Sequence, residues 1–272
     1  MKIHFYKFQG AGNDFIVIEG RYGLPELSQK EIALLCHRRF GIGADGLMTI
    51  GQSPHVDFDM RYYNADGKEG TLCGNGGRCI VAFAARTATT KRFTFSAIDG
   101  LHKAEVLEQN GNQTQVCLEM RDVDSVSPYG DDGYFLNTGS PHLVLFDTDI
   151  DKLDVVGKGA FWRHHPDFAP KGTNVNFLEV ESSGSLFVRT YERGVEDETL
   201  ACGTGVTASA IAAFMRSVGH DTKRATGKPC YDIRTLGGRL KVSFNAHEGR
   251  FSSIYLTGPA TFVFEGDVVL PD

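Results

Sequence analysis

The sequence predicts an α+β protein of two pseudo-symmetric domains, each a curved, mainly antiparallel sheet around one central buried helix. Three observations carry that prediction. The phrase Cys-Gly-x-Gly occurs twice, at Cys73-Gly74-Asn75-Gly76 and Cys202-Gly203-Thr204-Gly205, and each opens a run of apolar or small residues. The segment 58–76 aligns without a gap to 187–205 at a constant offset of 129 residues (202 − 73), matching Phe58 to Phe187 and Tyr62 to Tyr191. Upstream, Gly12 to Ile18 resembles Gly139 to Leu145, so the same order of elements occurs twice, at a period far too long for a solenoid.

Most other segments read as strands, because they alternate or carry aromatic and β-branched residues. In the first half these are Ile3 to Phe8, Phe15 to Glu19, Asp57 to Tyr63, Phe93 to Ala97, Lys103 to Leu107 and Val116 to Met120. In the second half they are Tyr134 to Asn137, Leu143 to Phe146, Val175 to Val180, Leu186 to Tyr191, Leu240 to Phe244, Ile254 to Thr257 and Thr261 to Phe264. Turn pairs such as Asp66-Gly67 and Asn110-Gly111 separate them, which favours antiparallel neighbours. Ser28 with Glu31 is a capping-box signature, and Ile32, Leu35, Cys36 and Arg39 continue it at helical spacing. The helices after Cys73 and Cys202 carry apolar or small residues on most faces, which implies burial all round. The join is expected in the polar, turn-rich stretch from Asp122 to Asp132, dividing the chain into 1–125, completed by a last strand at 262–272, and 126–261.

Composition excludes several classes. Hydrophobic content of 41% and charged content of 23% over 272 residues suit a soluble chain with two ordinary cores. A net charge of −6 without a basic block argues against a nucleic-acid partner, and no apolar run approaches a membrane span. The N-terminus has no signal-peptide apolar region, so a cytoplasmic location is expected. The six cysteines include no Cys-x-x-Cys pair and no paired-histidine spacing accompanies them, so no metal site is expected. Cys36, Cys117 and Cys230 read as small core residues, and Cys79, a turn and a half beyond Cys73, should point elsewhere.

A thiol at the start of a buried helix meets free backbone N–H groups and the positive end of the helix dipole, both of which favour the thiolate. The glycines let a carboxylate approach those N–H groups. Two such thiols across one α-amino acid form an acid/base pair: one removes the α-proton, the other protonates the opposite face, and the carbon inverts. A lone Cys-Gly-x-Gly is more often structural; its duplication reverses that reading. The site is expected in a cleft where both helix starts meet.

The motifs GAGNDF, NADG-x5-CGNGGRC, a Gly-x-Pro-His segment, TNVNF and YERGVEDETLACGTG resemble those of the diaminopimelate epimerases, in that family's order and over most of the chain. The resemblance implies a cofactor-free conversion of LL-2,6-diaminopimelate to the meso form, serving lysine and peptidoglycan precursor synthesis in a homodimer. It places the acid/base pair on Cys73 and Cys202, and gives His142 and Glu192 the tuning of their protonation. Substrate contacts fall on Asn13, Asn64 and Asn174, on the helix starts Gly74-Asn75 and Gly203-Thr204, and on Glu192-Arg193, which face the distal ammonium and carboxylate. Two departures stand out: Ser140 where many members have Asn, and Gly46 where some have Gln. Both imply altered substrate contacts.

Three rivals are separable. Proline and hydroxyproline racemases carry a Cys-Gly-His phrase at the first site, whereas this chain has Cys73-Gly74-Asn75, and a proline-sized substrate leaves Glu192-Arg193 without work. Relatives with carboxylates in place of the thiols do not match a chain that keeps both. A binding protein without chemistry would tolerate Cys73→Ser, which an epimerase would not.

Overall fold

Strand pairing repeats almost element for element in the two halves of the chain. The structure, a computed structural model, describes residues 1–23 and 26–270. Positions 271 and 272 of the strand expected at 262–272 lie outside the described residues. The chain divides into two compact units, Met1–Leu118 with Gly258–Asp272, and Glu119–Thr257.

The first unit contains β1 (Lys2–Gly10), β2 (Asn13–Glu19), α1 (Gln29–Cys36), β3 (Gly46–Gly51), β4 (Phe58–Asn64), the two-residue β5 (Glu69–Gly70), α2 (Gly74–Ala84), β6 (Arg92–Ala97), β7 (Gly100–Asn110) and all but the last two residues of β8 (Gln113–Met120). A tight turn at Ala11-Gly12, both with positive φ, joins β1 to β2 as a hairpin. β2 then pairs β3 in parallel, β3 pairs β4 antiparallel, β4 pairs β6 in parallel, and β6, β7 and β8 follow as antiparallel neighbours.

The second unit has β9 (Val126–Tyr129), β10 (Gly133–Asn137), β11 (Pro141–Phe146), α3 (Val155–Arg163), β12 (Asn174–Ser182), β13 (Ser185–Glu192), β14 (Asp197–Thr199), α4 (Gly203–Ser217), β15 (Cys230–Thr235) and β16 (Gly238–His247). The long β17 (Arg250–Val269) pairs through its first residues with β16 and through its last with β1. Strand for strand, β10 to β13 and β15 to β17 reproduce the senses of β1 to β4 and β6 to β8, including the two parallel pairs, β11–β12 and β13–β15. The expected α+β class with mainly antiparallel sheets is the one observed.

Each unit holds one helix buried nearly throughout. Every residue of α2 is buried, and α2 lies against β1, β2, β3 and β7. In α4 the residues from Gly203 to Met215 are buried apart from Thr204. Small side chains make this possible. A Cβ on Gly77 would come within 2.9 Å of Leu118, and one on Gly76 within 3.1 Å of Met48. A second helix covers the other side of each sheet. Ile32, Leu35 and Cys36 of α1 join Phe5, Ile16, Ile18 and Leu47, while Val155 of α3 joins Leu143, Val175, Phe177 and Tyr191.

Several elements depart from the sequence reading. The capped helix stops at Cys36, and Arg39 lies beyond it: His37 accepts the Arg39 and Phe40 N–H groups on Nδ1, which turns the chain out of the helix. α3 was not expected, because Gly157, Gly159 and two valines weaken its helical pattern. Asp154 caps it through the Gly157 N–H, and Gly159 is required by packing, since a Cβ there would lie 2.4 Å from Tyr191. The stretch from Asp122 to Asp132 contains β9 and a bridge from Val123 to Phe251. Cys230 is exposed, against its reading as a core residue; as the first residue of β15 it falls on the outward side of the alternation. Cys117 is half-buried, and Cys36 is buried as expected.

The complete capping box at Ser28 and Glu31 gives a direct test of α1. Ser28→Ala is expected to lower stability by about 1 kcal/mol, read as a shift in the urea midpoint at unchanged slope.

Candidate active site

Each Cys-Gly-x-Gly phrase places its cysteine at the N-cap of a buried helix. Cys73 (φ −88°, ψ 127°) and Cys202 (φ −113°, ψ 113°) are both extended, and neither side chain caps its own helix. The first helical bonds run from Gly77 N–H to Cys73 C=O and from Val206 N–H to Cys202 C=O. The N–H groups of the preceding three residues therefore point out of each helix start, beside the sulfur. Both helix starts can hold an anion and favour a thiolate.

In the first unit the surroundings of Cys73 are fixed by a chain of amides. Arg78 donates to Gly74 C=O (3.2 Å) and to Asn75 Oδ1 (2.9 Å), which turns Asn75 Nδ2 toward Asn13 Oδ1 (3.4 Å). Asn13 Nδ2 donates in turn to Asp45 (2.6 Å), so its oxygen faces Cys73 and accepts from the sulfur at 3.6 Å. Asp45 also binds Arg38 (2.6 Å), and Asp14 pairs with Lys7 and Arg38, both at 2.7 Å. Burial pushes the Asp14 carboxyl up, but the Arg38 and Lys7 hydrogen bonds outweigh it and hold it well below the usual carboxylate range.

Arg78 is the anomaly of this half. It is fully buried, no carboxylate is among its partners in the described residues, and its Nε has no partner. Burial pulls its pKa down from the ordinary guanidinium value. Its charge stands on the same helix start as Cys73 and adds to the positive end of the dipole. The apolar run after Cys73 hid this residue from sequence reasoning; its position inside the helix, facing back along the first turn, was the available signal.

In the second unit the Cys202 sulfur lies 3.4 Å from the Thr204 hydroxyl, which is 2.9 Å from His142 Nε2. His142 is fully buried, and Asn176 Nδ2 donates to its Nδ1 at 3.1 Å. Burial, reinforced by the charge of Arg193, pushes His142 down to about 3, so it is neutral at working pH. Gly205 is required by this arrangement, because a Cβ there would lie 2.4 Å from Asn176 Oδ1. Packing against the protein thus explains the second glycine of both phrases. Beside this cluster, Asn174 donates to Ser140 and to Pro141 C=O (both 2.9 Å) and accepts the Arg193 N–H (2.9 Å), while the Arg193 guanidinium reaches Ser140.

Comparison with known proteins decides what this chain is related to. The family model for diaminopimelate epimerase matches residues 5–123 and 134–263. The chain belongs to the diaminopimelate epimerase family. A diaminopimelate epimerase of Flavobacterium psychrophilum is 47% identical over 262 residues, covering 96% of this chain and 98% of that protein. One of Chlorobaculum tepidum is 42% identical, covering 96% and 99%. Among solved structures, a PhzF-family phenazine biosynthesis protein of Bacillus anthracis superposes with a TM-score of 0.71 at 16% identity, covering 99% of this chain and all of that one. A hydroxyproline epimerase of Agrobacterium vitis gives 0.68 at 15%, covering 100% and 93%. These two share the fold.

Within this epimerase family chain the structure brings Cys73, Asn75 and Asn13 together in one half, and Cys202, Thr204 and His142 in the other. Asn174 and Arg193 are joined through Ser140, and the Asn174 amide bonds Ser140, Pro141 C=O and the Arg193 N–H. Asn64 stands exposed at the end of β4, and Glu192 is the last residue of β13. Gly46 leaves no room for a longer side chain: a Cβ would lie 2.6 Å from the Tyr62 ring. Residues missed in the sequence are Lys7, Arg38 and Asp45, which brace Asn13 and Asp14, and Thr190 and Asn176, which brace His142. Among the described residues, no group of three His, Cys, Asp or Glu side chains is arranged to hold a metal, and no helix is long and apolar enough to cross a membrane.

Two outcomes test this description. Gly205→Ala is expected to destabilise the fold by about 1–3 kcal/mol through overpacking against Asn176, measured by urea unfolding. Because its folded pKa is depressed, Asp14 contributes stability that is complete above its ordinary value near 3.8 and is lost as pH falls below it. Asp14→Asn should therefore flatten the acid limb of a stability–pH profile below about pH 4.

Proposed function

We propose that this chain interconverts LL- and meso-2,6-diaminopimelate with Cys73 and Cys202 as a two-base pair, using neither pyridoxal phosphate nor a metal. The observation that carries the reading is the placing of both cysteines at N-caps of buried helices. Family membership over nearly the whole chain supports the substrate.

In this reading the reacting carboxylate lies against the outward N–H groups of Gly74-Asn75 and Gly203-Thr204. One thiolate takes the α-proton; the electron pair spreads into the carboxylate, where those N–H groups stabilise it. The other thiol gives its proton to the opposite face and is left as the thiolate. One S–H bond forms and one breaks, so the two cysteines have exchanged roles, and the reverse reaction runs from the exchanged state. Arg193 suits the distal carboxylate and Glu192 the distal ammonium, with Asn13, Asn64 and Asn174 as further polar contacts. His142 acts as a neutral group within hydrogen-bond reach of Thr204. The same family reading carries a cytoplasmic homodimer.

Incubation with LL-diaminopimelate in deuterated water should give meso product carrying deuterium at the inverted carbon. Unlabelled product, or turnover of hydroxyproline in its place, would sink the proposal. Cys73→Ser and Cys202→Ser are each expected to lower kcat by at least about 10³-fold with substrate still bound. A variant with unchanged turnover would exclude the two-base role. Mild oxidation should inactivate the protein through a Cys73–Cys202 disulfide, reversed by dithiothreitol and located by peptide mass mapping. Treatment with a chelator should leave the rate unchanged.

A further inference from the structure

Behind the two cysteine-bearing helix starts the duplicated halves are furnished differently. The parallel pairs β2–β3 and β11–β12 place equivalent residues in register, Val17 opposite Met48 and Val144 opposite Asn176. Phe15 likewise corresponds to His142, since one pairs with Gly46 and the other with Asn174. The first half thus puts Phe15 and Met48 against Gly76, and the second puts Asn176 against Gly205 with His142 beside it. A polar group in a buried position costs stability unless every donor and acceptor is used. Here they are all used. Asn176 Nδ2 donates to Leu143 C=O and to His142 Nδ1, both at 3.1 Å, and Asn176 Oδ1 accepts the Thr190 hydroxyl at 2.9 Å.

That pattern fixes proton positions. Leu143 C=O can only accept, so the amide nitrogen must face it, and the same nitrogen faces His142. His142 Nδ1 is therefore the acceptor, and the ring carries its proton on Nε2. Nε2–H donates to Thr204 Oγ1 at 2.9 Å, which leaves the Thr204 hydroxyl proton free to turn to Cys202 Sγ at 3.4 Å. We propose that Asn176 is a positioning residue for Cys202: it locks His142 as the Nε2–H tautomer, and through it aims the Thr204 hydroxyl proton at the sulfur. A donor aimed at sulfur lowers the cost of the thiolate. The contrast with the other half is direct, since Cys73 faces Asn13 Oδ1, an acceptor. The charged group acting on His142 is Arg193; Asn174 and Asn176 of β12, Thr190 of β13 and Thr204 of α4 are neutral. The proposal rests on the reading of Cys202 as an acid/base group.

The test begins with the unaltered protein. Long-range 1H–15N spectra of histidine-labelled chain, with the His142 signal assigned by its loss in His142→Gln, should show the neutral Nε2–H tautomer at every pH from about 5 to 8. An Nδ1–H tautomer, or a ring that titrates across that range, overturns the proposal whatever the variants do. Asn176→Asp should move the ring proton to Nδ1 and lower kcat about tenfold or more, with KM changed less than about twofold. Unchanged kcat in a folded Asn176→Asp overturns it. Thr204→Val should reproduce the fall in kcat and Thr204→Ser should restore it; equal rates for the two would also overturn it. Failure of the wild-type chain to turn over diaminopimelate rejects the functional reading alone, since the tautomer is read without substrate.

Discussion

A helix buried on every face has only its ends through which to act, and this constraint organises the chain. Burial of α2 and α4 leaves few polar side chains along their flanks, the buried Arg78 being the charged exception, and demands small residues where the sheet closes in. The N–H groups of the first turn have no acceptor within the helix and cannot be buried without other partners. They are therefore presented at the helix start, and a cysteine at the N-cap stands in the field they generate. The chemistry proposed for this protein follows from that placement.

Duplication supplied two such helix starts, and divergence then made them unequal. In the first unit the support is ionic: Lys7, Asp14, Arg38 and Asp45 hold Asn13, while a buried Arg78 holds Asn75. In the second unit it is neutral, running from Thr190 through Asn176 and His142 to Thr204. Both arrangements fix an amide in one orientation, which no single pair of residues does alone. A two-base reaction needs one thiol and one thiolate at the outset, and unequal surroundings break the symmetry that duplication would otherwise impose.

Much of this was legible in the residues. The repeat of the Cys-Gly-x-Gly phrase, with matched aromatic positions upstream, gave the duplication and the two cysteines. Strand alternation gave most of the ladders, and the Ser28 capping box gave the start of α1. Other features were not legible. α3 was hidden by its two glycines, whose meaning comes from Tyr191 across the gap. Cys230 looks like any core thiol until the pleat of β15 assigns its side. Asn174 reads as a ligand contact by motif; its protein partners Ser140, Pro141 and Arg193 come from separate segments and could not be read from the sequence.

By itself the sequence determined which residues sit at the helix starts, because capping, periodicity and small-residue burial are local and repeat visibly along the chain. Tertiary structure alone decided what stands behind them. Asn176, Gly205, Thr190 and His142 come from four separate segments, and only strand register sets them side by side. Hydrogen-bond orientation depends on that register to within an ångström, a distance that spacing along a chain does not encode.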